Sequence, residues 1–215
     1  MTTALEPNRS AERASLVRRG LWLNYATIGY NSLEAIGSLV AGLLAGSVAL
    51  IGFGFDSIIE VAAAFAAQWR LRADLNPARR VRVELSTLRF VGFCFLALAL
   101  YVTFDAIKTL ANREPPAGSI FGIIILALSV IVMPILASKK KRVARALTSG
   151  ALEAEATQTS LCAYLSVIGL VGVGLNVALG WWWADPLAAL VMVPIIAREG
   201  VEGIRAKESS CEACG

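Results

Sequence analysis

The sequence predicts an all-α integral membrane protein, a bundle of six transmembrane helices with both the N- and the C-terminus in the cytoplasm. Of its 215 residues, 57% are hydrophobic, whereas a soluble domain is about 45–50% apolar. The apolar residues lie in long runs, and the segments 120–137 and 156–184 contain no charged residue. Basic residues gather at the ends of these runs, which is typical of membrane topology.

The first two helices are predicted at about 21–44 and 48–69. Each is long enough to cross a hydrocarbon core of about 30 Å at a rise of 1.5 Å per residue. A short turn at 45–47 joins them, and the basic region 70–87 after the second helix is predicted to be a loop.

The third and fourth helices are predicted at about 88–110 and 119–138, separated by a loop at 112–118. That loop contains proline and glycine, which end helices. The fourth helix is expected to stop at the basic run 139–142.

The fifth and sixth helices are predicted at about 152–179 and 183–204. Three consecutive tryptophans at 181–183 lie between them, where an aromatic belt at the membrane surface is expected. No signal peptide is visible, and the polar start of the chain indicates a short cytoplasmic tail.

The distribution of positive charge predicts the orientation. All but two of the 20 Lys and Arg residues, Lys108 and Arg113, fall on the side that contains both termini, so this side is predicted to be cytoplasmic. The chain then divides into an N-terminal tail, 1–19, a six-helix membrane domain, 20–205, and a short tail, 206–215. Because the basic residues mark topology, nucleic acid is not expected as a partner.

Two pairs of potential metal ligands lie four residues apart inside predicted membrane segments. They are Asp56 with Glu60, and Gln158 with Cys162. Residues at this spacing share one helix face, so each pair can reach a common point if the second and fifth helices pack together. A carboxylate at the centre of a bilayer costs about 2.5–3.5 kcal/mol, so an acid kept there indicates a role with an ion or a proton.

The donor atoms of this set define a metal class without selecting one metal. Carboxylate and amide oxygens suit Mn²⁺, and a thiolate attracts Zn²⁺ and Cd²⁺, so the mixed set is compatible with Zn²⁺, Cd²⁺, Fe²⁺, Co²⁺ or Mn²⁺. Metal binding to such groups releases protons, which is the basis of exchange between a metal and protons. The sequence has no histidine and no hydrolase motif, so an enzyme is not expected.

These motifs resemble those of the cation diffusion facilitator family. The family's second helix typically contains Gly-Ser-x-Ala-Leu and then two ligands four residues apart. This chain matches that pattern with Gly46, Ser47, Ala49, Leu50, Asp56, Ser57 and Glu60. The family's fifth helix typically contains Ala-x-His-x-x-x-Asp-x-x-x-Ser, and its last helix opens with Trp-x-Asp-Pro-x-x-Ala. The corresponding residues are Ala156, Gln158, Cys162 and Ser166, then Trp183, Asp185, Pro186 and Ala189.

The resemblance implies a transporter that exports a divalent metal from the cytoplasm by proton antiport. It also implies a homodimer in the cell membrane, inner or plasma. The chain departs from the family in its ligands, because Gln replaces His at 158, Cys replaces Asp at 162 and Glu replaces Asp at 60. The cytoplasmic metal-binding domain of many members is expected to be absent. A membrane metal-binding protein that does not transport, such as a sensor or accessory subunit, is the alternative.

Several polar residues have more than one interpretation. Asp56 and Glu60 are either ligands or part of a structural network with Asn24, Asn31 or Tyr30. If Gln158 is not a ligand, its side chain forms hydrogen bonds between helices, and if Cys162 is not a ligand, it is a small buried hydrophobic residue. Candidates for the surroundings of the site or for a pathway to it are Asn31, Glu34, Glu155 and Ser166. Cys211 and Cys214 form either a soft-metal capture site on the tail or an incidental chain end.

Overall fold

The computed structural model describes residues 6–72, 77–147 and 150–205, and this part of the chain folds into six helices with no strand. The helices are α1 Glu6–Ala45, α2 Val48–Arg72, α3 Pro77–Asn112, α4 Ile120–Leu147, α5 Gly150–Leu179 and α6 Ala184–Arg205. The predicted all-helical class and the predicted number of helices are therefore confirmed for the described residues.

Five of the helices are long and apolar enough to cross a membrane. Their spans are Ser15–Ala45, Val48–Phe65, Leu88–Asn112, Ile120–Leu147 and Glu155–Leu179. The protein is thus a multi-pass membrane protein. The predicted sixth segment forms helix α6 but is not among these spans. Its charged residues are Asp185, Arg198, Glu199, Glu202 and Arg205.

Several helices extend beyond the ends predicted from charge. The basic run 139–142 does not end α4, which continues to Leu147, and α3 already begins at Pro77 within the predicted loop. Likewise α1 begins at Glu6 inside the predicted tail. Lys and Arg are good helix formers, and no glycine or proline occurs between 135 and 147. The basic run 139–142 therefore does not mark the end of a helix.

The turn between α1 and α2, at residues 46–47, also contacts the start of α6. Gly46 has a φ of 64°, a left-handed conformation that glycine adopts without strain. Ser47 caps α2, because its Oγ accepts a hydrogen bond of 3.1 Å from the Leu50 amide. The same hydroxyl donates to the buried Asp185 carboxylate, whose other oxygen accepts from the Ala49 amide at 3.4 Å. One carboxylate on α6 thus holds the N-terminus of α2, where negative charge is favourable.

Helix α2 is the central element of the bundle. It contacts α1, α3, α5 and α6, while α4 packs against α1 and α5. Phe53 of α2 is fully buried and belongs to the same hydrophobic core as Leu126 of α4 and Met192 of α6. The packing of α2 on α5, on which the predicted ligand pairs depend, is therefore present.

Helices α3 and α6 cross at glycines. A Cβ atom on Gly92 would lie 2.7 Å from the Gly200 carbonyl oxygen and 2.8 Å from the Ile204 amide nitrogen. On the other helix, a Cβ atom on Gly203 would lie 2.9 Å from the Leu88 carbonyl oxygen. Backbone atoms cannot move aside as a flexible side chain does, so the crossing requires small residues, as in many membrane helix pairs.

We expect Gly92→Ala to lower the free energy of unfolding by about 1–3 kcal/mol, because the added methyl forces the two backbones apart. The matched control is Gly29→Ala on α1, where a Cβ atom would meet nothing within 4 Å. Alanine is the better helix former, so this control is expected to be neutral or stabilising. Chemical unfolding of the detergent-solubilised protein measures both variants, and equal effects would contradict the assigned crossing.

Candidate metal site

Helix α1 carries a row of polar side chains on its buried face. Asn24, Thr27, Asn31, Glu34 and Ser38 are each at most 4% exposed and recur every three or four residues, so they share one face. The opposite face is apolar and exposed, as expected for contact with lipid, with Leu33, Ile36, Val40 and Leu43 among its residues. Helix α1 is therefore polar towards the bundle interior and apolar towards its surroundings.

Helix α2 directs both predicted carboxylates into the same interior. Asp56 and Glu60 are 6% and 4% exposed, and Ser57 between them is fully buried. The Ser57 hydroxyl donates a hydrogen bond of 2.9 Å to Oε2 of Glu34 on α1. Glu34, which the sequence predicted only for the surroundings of the site, thus contacts α2 at the residue next to Asp56.

Helix α5 places Cys162 between the acids of α1 and α2. The Cys162 side chain is 1% exposed, and its thiol donates to Oε2 of Glu34 across 3.8 Å. Asp56 and Glu60 lie close enough to the thiol to interact with it electrostatically. Three helices thereby bring Glu34, Asp56 and Cys162 into one buried polar cluster, which also includes Glu60 as a charged neighbour.

The α5 contact to Glu60 comes from Thr159. Its hydroxyl donates to Oε1 of Glu60 at 2.8 Å, and its side chain is fully buried. Gln158 is only half-buried and forms no hydrogen bond with another described residue, so its ligation stays a prediction. This buried face of α5 could have been found from the sequence by helical spacing. Its residues are three or four positions apart: Glu155, Thr159, Cys162 and Ser166.

Ser166 is fully buried one turn beyond Cys162. Its hydroxyl donates to the Ala163 carbonyl at 2.8 Å, so it satisfies its own helix and does not reach the acids. The predicted tail site at Cys211 and Cys214 lies outside the described residues.

Lys140 is part of the site, and sequence analysis placed it in a basic run at the end of the fourth helix. Its side chain is 1% exposed. The Nζ atom lies 3.7 Å from Oε2 of Glu155 and donates to the Thr159 hydroxyl at 3.4 Å. Met133 and Ala137 lie on the buried face of α4, and Lys140 follows Ala137 by three residues on the same face. Helical periodicity could therefore have predicted that Lys140 is buried.

Several buried polar atoms of the cluster have no hydrogen-bond partner among the described residues. They are Nδ2 and Oδ1 of Asn31, Oε1 of Glu34 and Oε2 of Glu60. Ser129 Oγ on α4 and Ser38 Oγ on α1 are also without a partner within this part of the chain. Buried polar atoms are nearly always paired, because leaving them unpaired costs free energy. The cluster is therefore suited to binding a polar or charged ligand.

The side chains are not arranged as a closed metal centre. Within the described ranges, no group of three or more Cys, Asp or Glu side chains is positioned to hold a metal ion together. The Glu34 and Glu60 carboxylates instead accept hydrogen bonds from the Ser57 and Thr159 hydroxyls. A shared ion would require these carboxylates to turn away from the hydroxyls.

We expect Thr159→Val to lower the free energy of unfolding by about 1–3 kcal/mol, because Glu60 and Lys140 each lose a buried hydrogen bond. Thr157→Val on the same helix is the matched control, since the exposed Thr157 hydroxyl bonds only the Glu153 carbonyl at 3.0 Å. Its effect should stay within about 0.5 kcal/mol. Chemical unfolding in detergent compares the two, and a Thr159→Val effect no larger than the control would contradict the network.

Comparison with known proteins places this bundle in a family. A model of the cation efflux transmembrane domain matches residues 25–207, which is most of the chain. The chain is 28% identical over 186 residues to a cadmium, cobalt and zinc/H(+)-K(+) antiporter of Bacillus subtilis, covering 80% of this chain and 56% of the relative.

Two other relatives have similar sequence identity and coverage. An uncharacterized transporter of Synechocystis is 27% identical over 174 residues, covering 77% of this chain and 56% of that protein. Transmembrane protein 163 of Xenopus laevis is 26% identical over 153 residues, covering 70% and 52%. The chain spans about half the length of these curated relatives. Because the domain model covers most of its residues, the chain belongs to the cation diffusion facilitator family, which consists of transporters and not enzymes.

Proposed function

We propose that this protein exports a divalent transition-metal ion from the cytoplasm in exchange for protons. The observation that carries the proposal is the buried cluster of Glu34, Asp56, Glu60 and Cys162, which α1, α2 and α5 form in the interior of the bundle. Ionisable groups at such depth are costly and mark ion or proton pathways in membrane proteins. The family of the chain supports the same class of function.

Asp56, Glu60 and Cys162 are the proposed ligands, with Gln158 as the proposed fourth. We add Glu34 to the proposed set, because its carboxylate already contacts the Cys162 thiol. Glu34 and Glu60 each have one carboxylate oxygen bonded to a hydroxyl and one without a partner among the described residues. A modest rotation of either side chain then turns a hydrogen-bonded carboxylate into a metal ligand.

The donor atoms favour a borderline or soft dication. A thiolate attracts Zn²⁺ and Cd²⁺, while the carboxylates also accommodate Fe²⁺, Co²⁺ and Mn²⁺. The similarity to an antiporter named for cadmium, cobalt and zinc supports this class.

Protons are the proposed counter-ion. Carboxylates and thiols must lose protons to bind a metal, so metal entry releases protons and proton entry releases metal. The distribution of basic residues predicts that both termini face the cytoplasm. We propose that α6 is the sixth membrane span and that the protein lies in the cell membrane, inner or plasma. We propose a homodimer on the family resemblance.

A second candidate is a membrane protein that binds metal without moving it, as a sensor or accessory subunit would. The replacement of both usual ligands of the family's fifth helix, by Gln158 and Cys162, favours this candidate. The two functions differ in whether metal crosses the membrane, so a flux measurement separates them.

We expect Asp56→Asn to abolish metal flux in proteoliposomes, because it removes one charge from the proposed ligand set with little change of shape. Internal fluorescent metal and pH indicators report transport when Zn²⁺, Cd²⁺, Fe²⁺, Co²⁺ or Mn²⁺ is added in turn. The control is Glu114→Gln, since Glu114 is exposed in the α3–α4 loop and its carboxylate accepts a hydrogen bond from the Asn112 side chain alone among the described residues.

Flux of at least one ion with opposing proton movement, lost in Asp56→Asn and kept in Glu114→Gln, is the expected result. Metal flux that Asp56→Asn leaves intact would contradict the proposed site. Metal binding that depends on Asp56, without flux of any ion, would contradict transport and support the second candidate.

A further inference from the structure

Lys140 is buried where its neighbours in the chain are not. Among the Lys and Arg residues whose side-chain burial the structure describes, it is the only buried one, and its side chain is 1% exposed. Lys139 and Arg142 on the same stretch of α4 are exposed, and Lys141 is half-buried. A buried ammonium group is unfavourable by several kcal/mol unless nearby charges compensate it. The acids of the bundle are therefore the physical reason why Lys140 is stable inside.

The contacts of Lys140 connect it to the proposed metal ligands. Its Nζ atom pairs with Glu155 at 3.7 Å and donates to Thr159 at 3.4 Å, and Thr159 in turn donates to Glu60 at 2.8 Å. The Thr159 hydroxyl is therefore the link between the Lys140 ammonium group and the Glu60 carboxylate. Glu155 and Glu60 thus share one cation that belongs to the chain itself.

We propose that Lys140 is a tethered counter-cation, which balances Glu60 and Glu155 while no metal is bound and which an entering dication must displace. This inference rests on the proposed function, because it assumes that Glu60 binds the metal. Two positive charges from the metal and one from the lysine repel each other strongly at short distance where water is scarce. The ammonium group therefore competes with the metal for the negative charge of Glu60.

The chemistry of the side chain fits displacement. Lysine has a flexible four-carbon stem and a compact charge, so its ammonium group moves by rotation of the stem while the apolar part stays packed. The adjacent exposed Lys139 shows that this turn of α4 reaches the surface of the bundle. Return of the ammonium group to Glu60 and Glu155 would then weaken metal binding and favour release.

Metal affinity of the purified full chain in detergent tests this proposal. Equilibrium dialysis with Zn²⁺ and with Cd²⁺ gives Kd for the wild type and for Lys140→Met, which removes the charge and is one atom shorter than lysine. We expect Lys140→Met to bind metal at least about tenfold more tightly, because the competing charge is gone. Lys140→Arg keeps the charge and should bind as weakly as the wild type.

The matched control is Lys139→Met, since Lys139 is exposed next to Lys140. Removing a solvated charge should change Kd by no more than about twofold. If Lys140→Met is not monodisperse in detergent, Lys140→Gln replaces it, because glutamine also removes the charge and keeps a donor for Thr159.

Each outcome decides the matter. Equal affinity of Lys140→Met and Lys139→Met overturns the inference, and weaker binding by Lys140→Met overturns it as well, because the lysine would then position the ligands. Asp56→Asn, measured alongside, separates this failure from that of the proposed function. Metal affinity that is unchanged in Asp56→Asn refutes the proposed site. Absence of metal binding in both the wild type and Lys140→Met refutes both proposals.

Discussion

The burial of several carboxylates in an apolar bundle is the constraint on which the rest of this structure depends. Asp56 and Glu60 lie on the central helix α2, where neither water nor lipid compensates a charge, so the surrounding helices supply partners. Helix α1 contributes Glu34 and its polar row, α5 contributes Thr159 and Cys162, and α4 contributes Lys140. The Asp185 carboxylate on α6 performs a separate task, because it holds the start of α2 through Ser47 and thereby fixes the helix that carries the acids.

The departures of this chain from its family have a coherent physical consequence. With cysteine at 162 and no histidine in the sequence, the cluster offers oxygen donors and one sulfur donor. Such a set selects by softness and charge more than by imidazole geometry. In the arrangement described here, the acids face hydroxyl groups and a resident ammonium group instead of each other. The bundle is thereby stable with its acids inside, and a dication has to compete with contacts that already exist.

Much of the fold was predictable because hydropathy and helical periodicity depend only on local sequence. The six helices and the buried positions of Asp56, Glu60 and Cys162 followed from apolar runs and from the i, i+4 spacing. The ends of α3 and α4 did not follow, because Lys and Arg mark a membrane surface while still favouring helix. The roles of Thr159 and Lys140 depend on the rotation of α4 and α5 about their axes, which only tertiary packing determines. The Gly92 crossing likewise requires knowledge of which helices are neighbours.

X-ray absorption spectroscopy of bound zinc tests most directly whether the acids and the thiol share one cation. In a variant with Cys94, Cys211 and Cys214 replaced by serine, Cys162 is the only thiol of the chain. The account predicts one sulfur at about 2.3 Å together with oxygen ligands at about 2.0–2.2 Å. Loss of the sulfur signal in the further variant Cys162→Ser completes the assignment. A zinc shell without sulfur in the single-thiol variant would contradict the account.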